Sequence, residues 1–202
     1  MTRMSTSDEE PAERERHVRG KALVTKVLSA AVAELARVGY EKLSIEDVAV
    51  AAGVNKTTLY RRWATKRDLI LAALEKVAHD IPPPANLGSL RLDMLSQVKL
   101  HRDLAARPDI RGLMRMAFAG PPPEEIAEFS NGMRAEKEAE AMFVYTRAID
   151  RGELPADTDV QLLHTILSGT VTELVLFRHD ECDDAKLTRV VDLVLLGAMP
   201  RR

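Results

Sequence analysis

Residues 43–63, LSIEDVAVAAGVNKTTLYRRW, leave this chain few ways to fold. Two short helices joined by a turn of three or four residues pack closely only where small side chains meet and the turn accepts a positive φ. Ala49, four positions before Gly53, meets both conditions. Ser44 stands as an N-cap, and Asp47 three positions on takes the acid's place in a capping box, so a helix is expected from Ser44 to about Ala52, ended by Gly53. Asn55 is a good N-cap for the next helix, expected through Trp63. Val48, Val54 and Leu59 supply the apolar seam between the two. At about 100° per residue, Leu59 and Trp63 fall on one side of the later helix while Lys56, Thr57, Tyr60 and Arg61 share an arc of about 140° on the other.

A cation, a hydroxyl, a phenol and a guanidinium on one outward arc are the groups that read a major groove and grip its walls. Arg61 is the candidate for a base edge, with Thr57 and Thr58 for bases or thymine methyls and Lys56, Tyr60 and Arg62 for phosphates. Ser44, beside the free amides of its own helix, and Lys66, at the start of the following one, are candidate phosphate contacts on either side. The formal charge of −2 hides an asymmetry that fits. Residues 11–67 hold 12 Lys and Arg against 6 Asp and Glu, whereas residues 81–202 hold 15 against 19. A basic first third on an acidic remainder is expected where one part meets phosphate and the other does not.

Apolar residues at three- and four-residue steps predict a helix ahead of this segment, from Lys21 to Val38 and stopped by Gly39, and another behind it, Lys66 to His79, ended before Pro82. Further helices are expected over Leu90–Arg107, Asp109–Ala119, Pro123–Arg151, Asp157–His179 and Asp183–Ala198, with no strand. The fold class is all-α: a flexible arm (1–18) whose Arg14, Arg16 and Arg19 could reach DNA, a helix-turn-helix domain (19–65) and a helical domain (66–202).

An apolar share of 46% with 30% charged residues is that of an ordinary globular chain. No apolar run approaches the roughly 18 residues that span a bilayer, and no signal peptide opens the chain, so a cytoplasmic protein is expected. The single Cys182 cannot form an internal disulfide. The five histidines are scattered, with no zinc-protease pair, phosphate loop or nucleophile elbow, so no enzyme, cofactor or metal site is expected. His101 with Asp103, and His179 with Asp180 and Glu181, are the pairings a metal-dependent alternative would use.

Over Ala31–Leu71 the sequence resembles the TetR/AcrR family of regulators: an Ala-rich first helix, Gly39-Tyr40, Ser44 to Val48, Ala51-Ala52-Gly53-Val54, Thr58-Leu59-Tyr60, then Lys66 and Leu69. It departs at Thr57, where members often have glycine, and at Trp63, where they often have phenylalanine. The resemblance implies a homodimer on a double-stranded DNA operator, built through the last two helices and most often a repressor released by a ligand; an activator, or a regulator without an effector, would share the fold. The candidate dimerisation residues are Leu163, Leu167, Val171 and Leu174 with Leu187, Val190, Val191 and Val194, within an apolar surface broader than one stripe that also takes in Ile166 and Phe177. For a small, largely apolar effector the middle helices offer Met94, Val98, Met114, Phe118, Phe129, Met133, Met142 and Phe143. In the family, ligand-driven movement reaches the reading head through the fourth helix, here Lys66–His79.

Overall fold

The structure is a computed structural model that describes residues 11–178 and 182–198. Nine α-helices run through them: α1 (Pro11–Lys42), α2 (Ile45–Ala52), α3 (Lys56–Tyr60), α4 (Lys66–Asp80), α5 (Leu90–Ala106), α6 (Pro108–Ala119), α7 (Glu124–Asp150), α8 (Val160–Thr172) and α9 (Asp184–Ala198). α8 continues through a π-helical turn, Glu173–Phe177, and the described residues contain no strand. α1 is interrupted at Gly39 (φ 78°, ψ 166°), the expected stop, after which the chain makes one more turn. At its other end α1 starts at Pro11, so residues 11–18 are helical backbone and not the flexible arm expected of them. Proline is well suited to a first helical position, where its missing N–H is no loss. The side chains of Arg14, Arg16 and Arg19 lie outside the described residues.

Two apolar cores organise the chain. The first gathers Val27, Ala31 and Leu35 of α1, Val48 of α2, Leu59 of α3, and Leu69, Ile70 and Ala73 of α4, with Ile126 reaching in from α7. α4, grouped at the sequence level with the second domain, thus buries its apolar stripe in the first core. The second core joins Met94 and Val98 of α5, Val144 and Tyr145 of α7, Leu163, Leu167 and Val171 of α8, and Leu187 and Val191 of α9. Each such aliphatic side chain, fully withdrawn from water, contributes roughly 1.5–3 kcal/mol. α6 lies between the cores, along α1 on one side and against α5 on the other. The approach to α1 is close because Gly112 has no side chain: a Cβ there would overlap Ala36 Cβ and sit 3.1 Å from its Cα.

Contrary to the expectation from hydropathy, one segment among the described residues is long and apolar enough to cross a membrane by length and composition, Val160–Phe177, of mean hydropathy 1.4. Its inner face carries second-core residues, and only 28% of the stretch is buried within this one chain.

The proline-rich link between α4 and α5 is fixed by a buried charge. Asp93, fully buried on α5, accepts from Leu87 N at 2.6 Å, and its other oxygen faces the guanidinium groups of Arg151 at 3.5 Å and Arg147 at 3.8 Å. Arg147 also donates to Ala85 O at 2.6 Å, so the link is held at two points. Asp93→Asn keeps the acceptor for Leu87 but turns an NH₂ toward two cations that are themselves about a quarter exposed. A loss of about 1–2 kcal/mol is expected, seen as a fall of roughly 4 °C in the thermal midpoint.

Candidate nucleic-acid interface and effector cavity

Local chemistry sets the α2–α3 geometry. Ser44 caps α2 by accepting from Asp47 N at 3.1 Å while its hydroxyl donates to the Asp47 carboxylate at 2.6 Å. Gly53 closes α2 in the left-handed region (φ 61°, ψ 42°), and Val54 N returns to Ala49 O at 3.0 Å. Asn55 then caps α3, its Oδ1 accepting from Thr57 N at 2.9 Å and from the Thr57 hydroxyl. α3 ends at Tyr60, three residues short of the expected bound, because Arg62 N and Trp63 N both return to Leu59 O and tighten the chain into a turn. That turn brings Trp63 back against the first core, beside the fully buried Leu59. It also delivers Thr65 to α4, where Thr65 and Asp68 form a capping box.

Backed by Leu59, α3 and the turn after it expose Lys56, Thr57, Tyr60, Arg61 and Arg62, with Thr58 and Ser44 half-buried at the margins. The Tyr60 phenol donates to Glu46 Oε1 of α2 at 3.1 Å, and this bond holds its pKa above the usual tyrosine value. Lys66 is turned inward: its ammonium donates to Tyr40 O at 2.9 Å and lies 4.4 Å from the centre of the Tyr40 ring, fastening α4 to the end of α1.

A cavity of about 200 Å³ lies under α6, bounded by Ile81 and Pro82 after α4, Val98 and His101 of α5, Met114 of α6, Ala141 of α7, and His164, Leu167 and Val171 of α8. Of the eight effector candidates only Val98 and Met114 line it. Met94 is sealed in the second core and Met142 packs against it; Phe129 and Met133 pack on the first core. Phe118 and Phe143 are exposed, Phe118 meeting Phe177 edge to face at 5.9 Å. α7 is long enough to serve both cores, so its apolar period alone does not tell which cavity a residue faces. The polar lining, notably His101 and His164, was missed although its signal was present: His164, Leu167, Ser168 and Val171 share one face of α8.

The two imidazoles sit against buried hydroxyls, His101 Nε2 at 3.2 Å from Thr172 Oγ1 and His164 Nδ1 at 3.4 Å from Tyr145 Oη. Burial lowers the pKa of both, and for His101 the neighbouring His164 lowers it further. Because the unfolded chain takes up these protons from about pH 6.5 downward while the native state resists them, stability is unaffected above that value and falls as the pH drops below it. The thermal midpoint is accordingly expected to decline between about pH 6.5 and 5, and a His101→Gln/His164→Gln variant to show a flatter profile over that window.

The candidate dimerisation residues divide by burial. Leu163, Leu167, Val171, Leu187 and Val191 face the second core, while Leu174, Val190 and Val194 are half-buried. The apolar residues left outward are Leu162, Ile166 and Phe177 along α8 and its π turn, and Leu193 and Leu196 on α9, all about half exposed or more. An open groove of about 510 Å³ between α8 and α9 carries Leu162, Ile166, Val190, Leu193, Val194 and Gly197. Gly169 has nothing within 4 Å of where its Cβ would be, so the close approach it invites is not made within this chain.

Residues 27–73 match the family model described as bacterial regulatory proteins, tetR family, and residues 84–194 match the tetracyclin repressor-like C-terminal domain. A DNA-binding transcriptional repressor TetR of Mycobacteroides abscessus is 31% identical over 191 residues, covering 88% of this chain and 94% of that protein. The HTH-type transcriptional regulator AqdR of Rhodococcus erythropolis is 28% identical over 192 residues, 95% of this chain and 92% of its own. Among solved structures, the TetR family transcription regulator SCO0332 superposes with a TM-score of 0.61 at 29% identity, over 88% of this chain and 99% of that one. FadR of Bacillus subtilis, solved with stearoyl-CoA, shares the fold with a TM-score of 0.68 at 20% identity, over 86% and 98%.

Proposed function

This chain belongs to the TetR family of bacterial transcriptional regulators, and from that premise we propose a homodimeric repressor that grips a palindromic operator and releases it when a small, largely apolar molecule fills the cavity beneath α6. The observation that carries the reading is the exposed row Lys56, Thr57, Tyr60 and Arg61 on α3 and the start of the turn after it, anchored from behind by Leu59. Arg61 reads a base edge, Thr57 and Thr58 lie alongside bases, and Lys56, Tyr60, Arg62 and Ser44 meet phosphates. Lys66 acts as a brace on α1 and sets the angle of the reading head. Such a protein works in the cytoplasm, where its operator is.

Two copies are needed to place two reading helices roughly 34–36 Å apart, in successive major grooves. The occupant of the outward apolar face is a second copy of this chain: Leu162, Ile166 and Phe177 continue along one line of α8, and bare Gly169 between them admits a partner helix. Leu193→Glu should then raise the dimer dissociation constant by at least about tenfold, measured by analytical ultracentrifugation, while leaving the helical circular dichroism intact.

Release follows two routes that leave the cavity. Met114 lies on its wall and Gly112, on the same helix, rests on α1. Ile81 and Pro82 continue directly from α4, whose other end is tied to α7 by Arg67 Nε donating to Glu125 O at 2.7 Å. A ligand that favours a displaced α6 or α4 alters the separation of the two reading helices.

Selection of bound sequences from random duplex DNA tests the reading. A palindrome with half-sites about one helical turn apart, bound with steep salt dependence, is expected. Binding without sequence preference, or selection of a single asymmetric half-site by a monomer, would overturn it.

A further inference from the structure

The cavity restricts the chemistry of its occupant, an argument that rests on its being the effector site. Its volume of about 200 Å³ lies below the roughly 300–1,000 Å³ typical of drug-sized ligands, so the occupant is compact, on the order of ten non-hydrogen atoms. Most of the polar lining is already committed. Lys137 is paired with Glu140 at 2.9 Å, the Ser168 hydroxyl turns back to Thr165 O, and Gln97 donates to Ala141 O, although its buried Oε1 is left without a partner.

The two imidazoles are different. Tyr145 and Thr172 are buried, and neither hydroxyl has another acceptor among the described residues, so each donates to its ring nitrogen, His164 Nδ1 and His101 Nε2. In a neutral ring the proton is then on the far nitrogen, His164 Nε2 and His101 Nδ1. Among the described residues neither of these N–H groups has an acceptor, so each is free to donate to a molecule in the cavity that both rings line.

We propose that the effector is a neutral, compact molecule of mainly hydrocarbon surface whose carbonyl oxygen accepts a hydrogen bond from these imidazole N–H groups. The hydrocarbon part meets Val98, Leu104, Met114, Leu167 and Val171. A carboxylate is disfavoured because the cation on the cavity wall, Lys137, is paired with Glu140, and both rings resist protonation where they are buried.

Three probes of one shape distinguish the possibilities: acetophenone, α-methylstyrene with CH₂ in place of the oxygen, and benzoate. In calorimetric titrations of the full chain, acetophenone is expected to bind about tenfold tighter than either of the others. The preference should vanish in a His101→Phe/His164→Phe variant that still binds α-methylstyrene. Imidazole N–H resonances of the unaltered protein should shift on adding acetophenone and not α-methylstyrene, which keeps the test independent of how the variant folds. Equal binding of the hydrocarbon, tighter binding of benzoate, no binding of any probe, or unmoved imidazole resonances would each overturn the proposal. Operator affinity measured in the same samples separates this from the release mechanism. Acetophenone bound as described without loosening the operator sinks release alone, whereas release by α-methylstyrene or benzoate but not acetophenone sinks the carbonyl alone.

Discussion

Arg61→Ala is expected to cut affinity for the selected duplex by about 30- to 10⁴-fold while shifting the thermal midpoint by no more than a degree or two. A good bidentate base contact is worth about 1–3 kcal/mol, and a dimer loses it in both half-sites, giving roughly 2–6 kcal/mol in all. The fold loses almost nothing, because Arg61 lies at the exposed end of α3 while Leu59 and Trp63 hold the segment from behind. Sequence preference should relax at one symmetric pair of positions, with the slope of affinity against salt little altered. Lys56→Ala makes the contrast: as a phosphate contact it should weaken binding to all duplexes alike and lower the salt slope by about one per subunit. Fluorescence anisotropy with selected and scrambled duplexes at several salt concentrations separates the two. Should Arg61→Ala break the dimer or unfold the protein, that side chain is structural and α3 is not the reading helix.

The parts of the molecule that were legible in the sequence are those whose code is local. Ser44, Gly53 and Asn55 act on backbone groups within four residues of themselves, so the α2–turn–α3 unit could be read without its surroundings. The effector candidates depended on something non-local, namely which of two cores a helical face meets. α7 passes from Ile126 in the first to Val144 and Tyr145 in the second, and no period in its sequence marks the crossing. A related ambiguity divided α8 and α9. Their apolar surface is broader than one stripe, as the sequence indicates, but Leu163 and Leu162 are adjacent and only packing decides that Leu163 turns inward and Leu162 outward. The histidines were passed over because they are far apart in sequence; α5 and α8 bring them to one cavity.

Gly112→Val tests whether the cavity speaks to the reading head through α6. With Cα 3.1 Å and carbonyl oxygen 3.2 Å of Ala36 already close to where a Cβ would sit, any side chain must push α6 away from α1, since carbon atoms prefer about 3.5–4.0 Å. Overpacking of this kind costs about 1–3 kcal/mol, and the backbone atoms involved cannot swing aside, so the upper end is expected, a fall of roughly 6–12 °C in the thermal midpoint. Gly132→Ala on α7, where nothing lies within 4 Å, should instead be neutral or slightly stabilising, which shows that the loss belongs to the seam and not to helical glycine in general. The functional expectation is separate from the stability one. At a temperature where Gly112→Val is still folded, its operator affinity should be at least about tenfold weaker, and an effector should weaken it little further, because the displaced α6 already occupies the position that ligand binding selects. Ala36→Gly added to Gly112→Val should restore part of both affinity and response, since it removes the Cβ overlap and leaves only the backbone contacts. If Gly112→Val lowers the thermal midpoint but leaves operator affinity and effector response intact, α6 is merely packed on α1, and the signal must run from Ile81 and Pro82 along α4 alone.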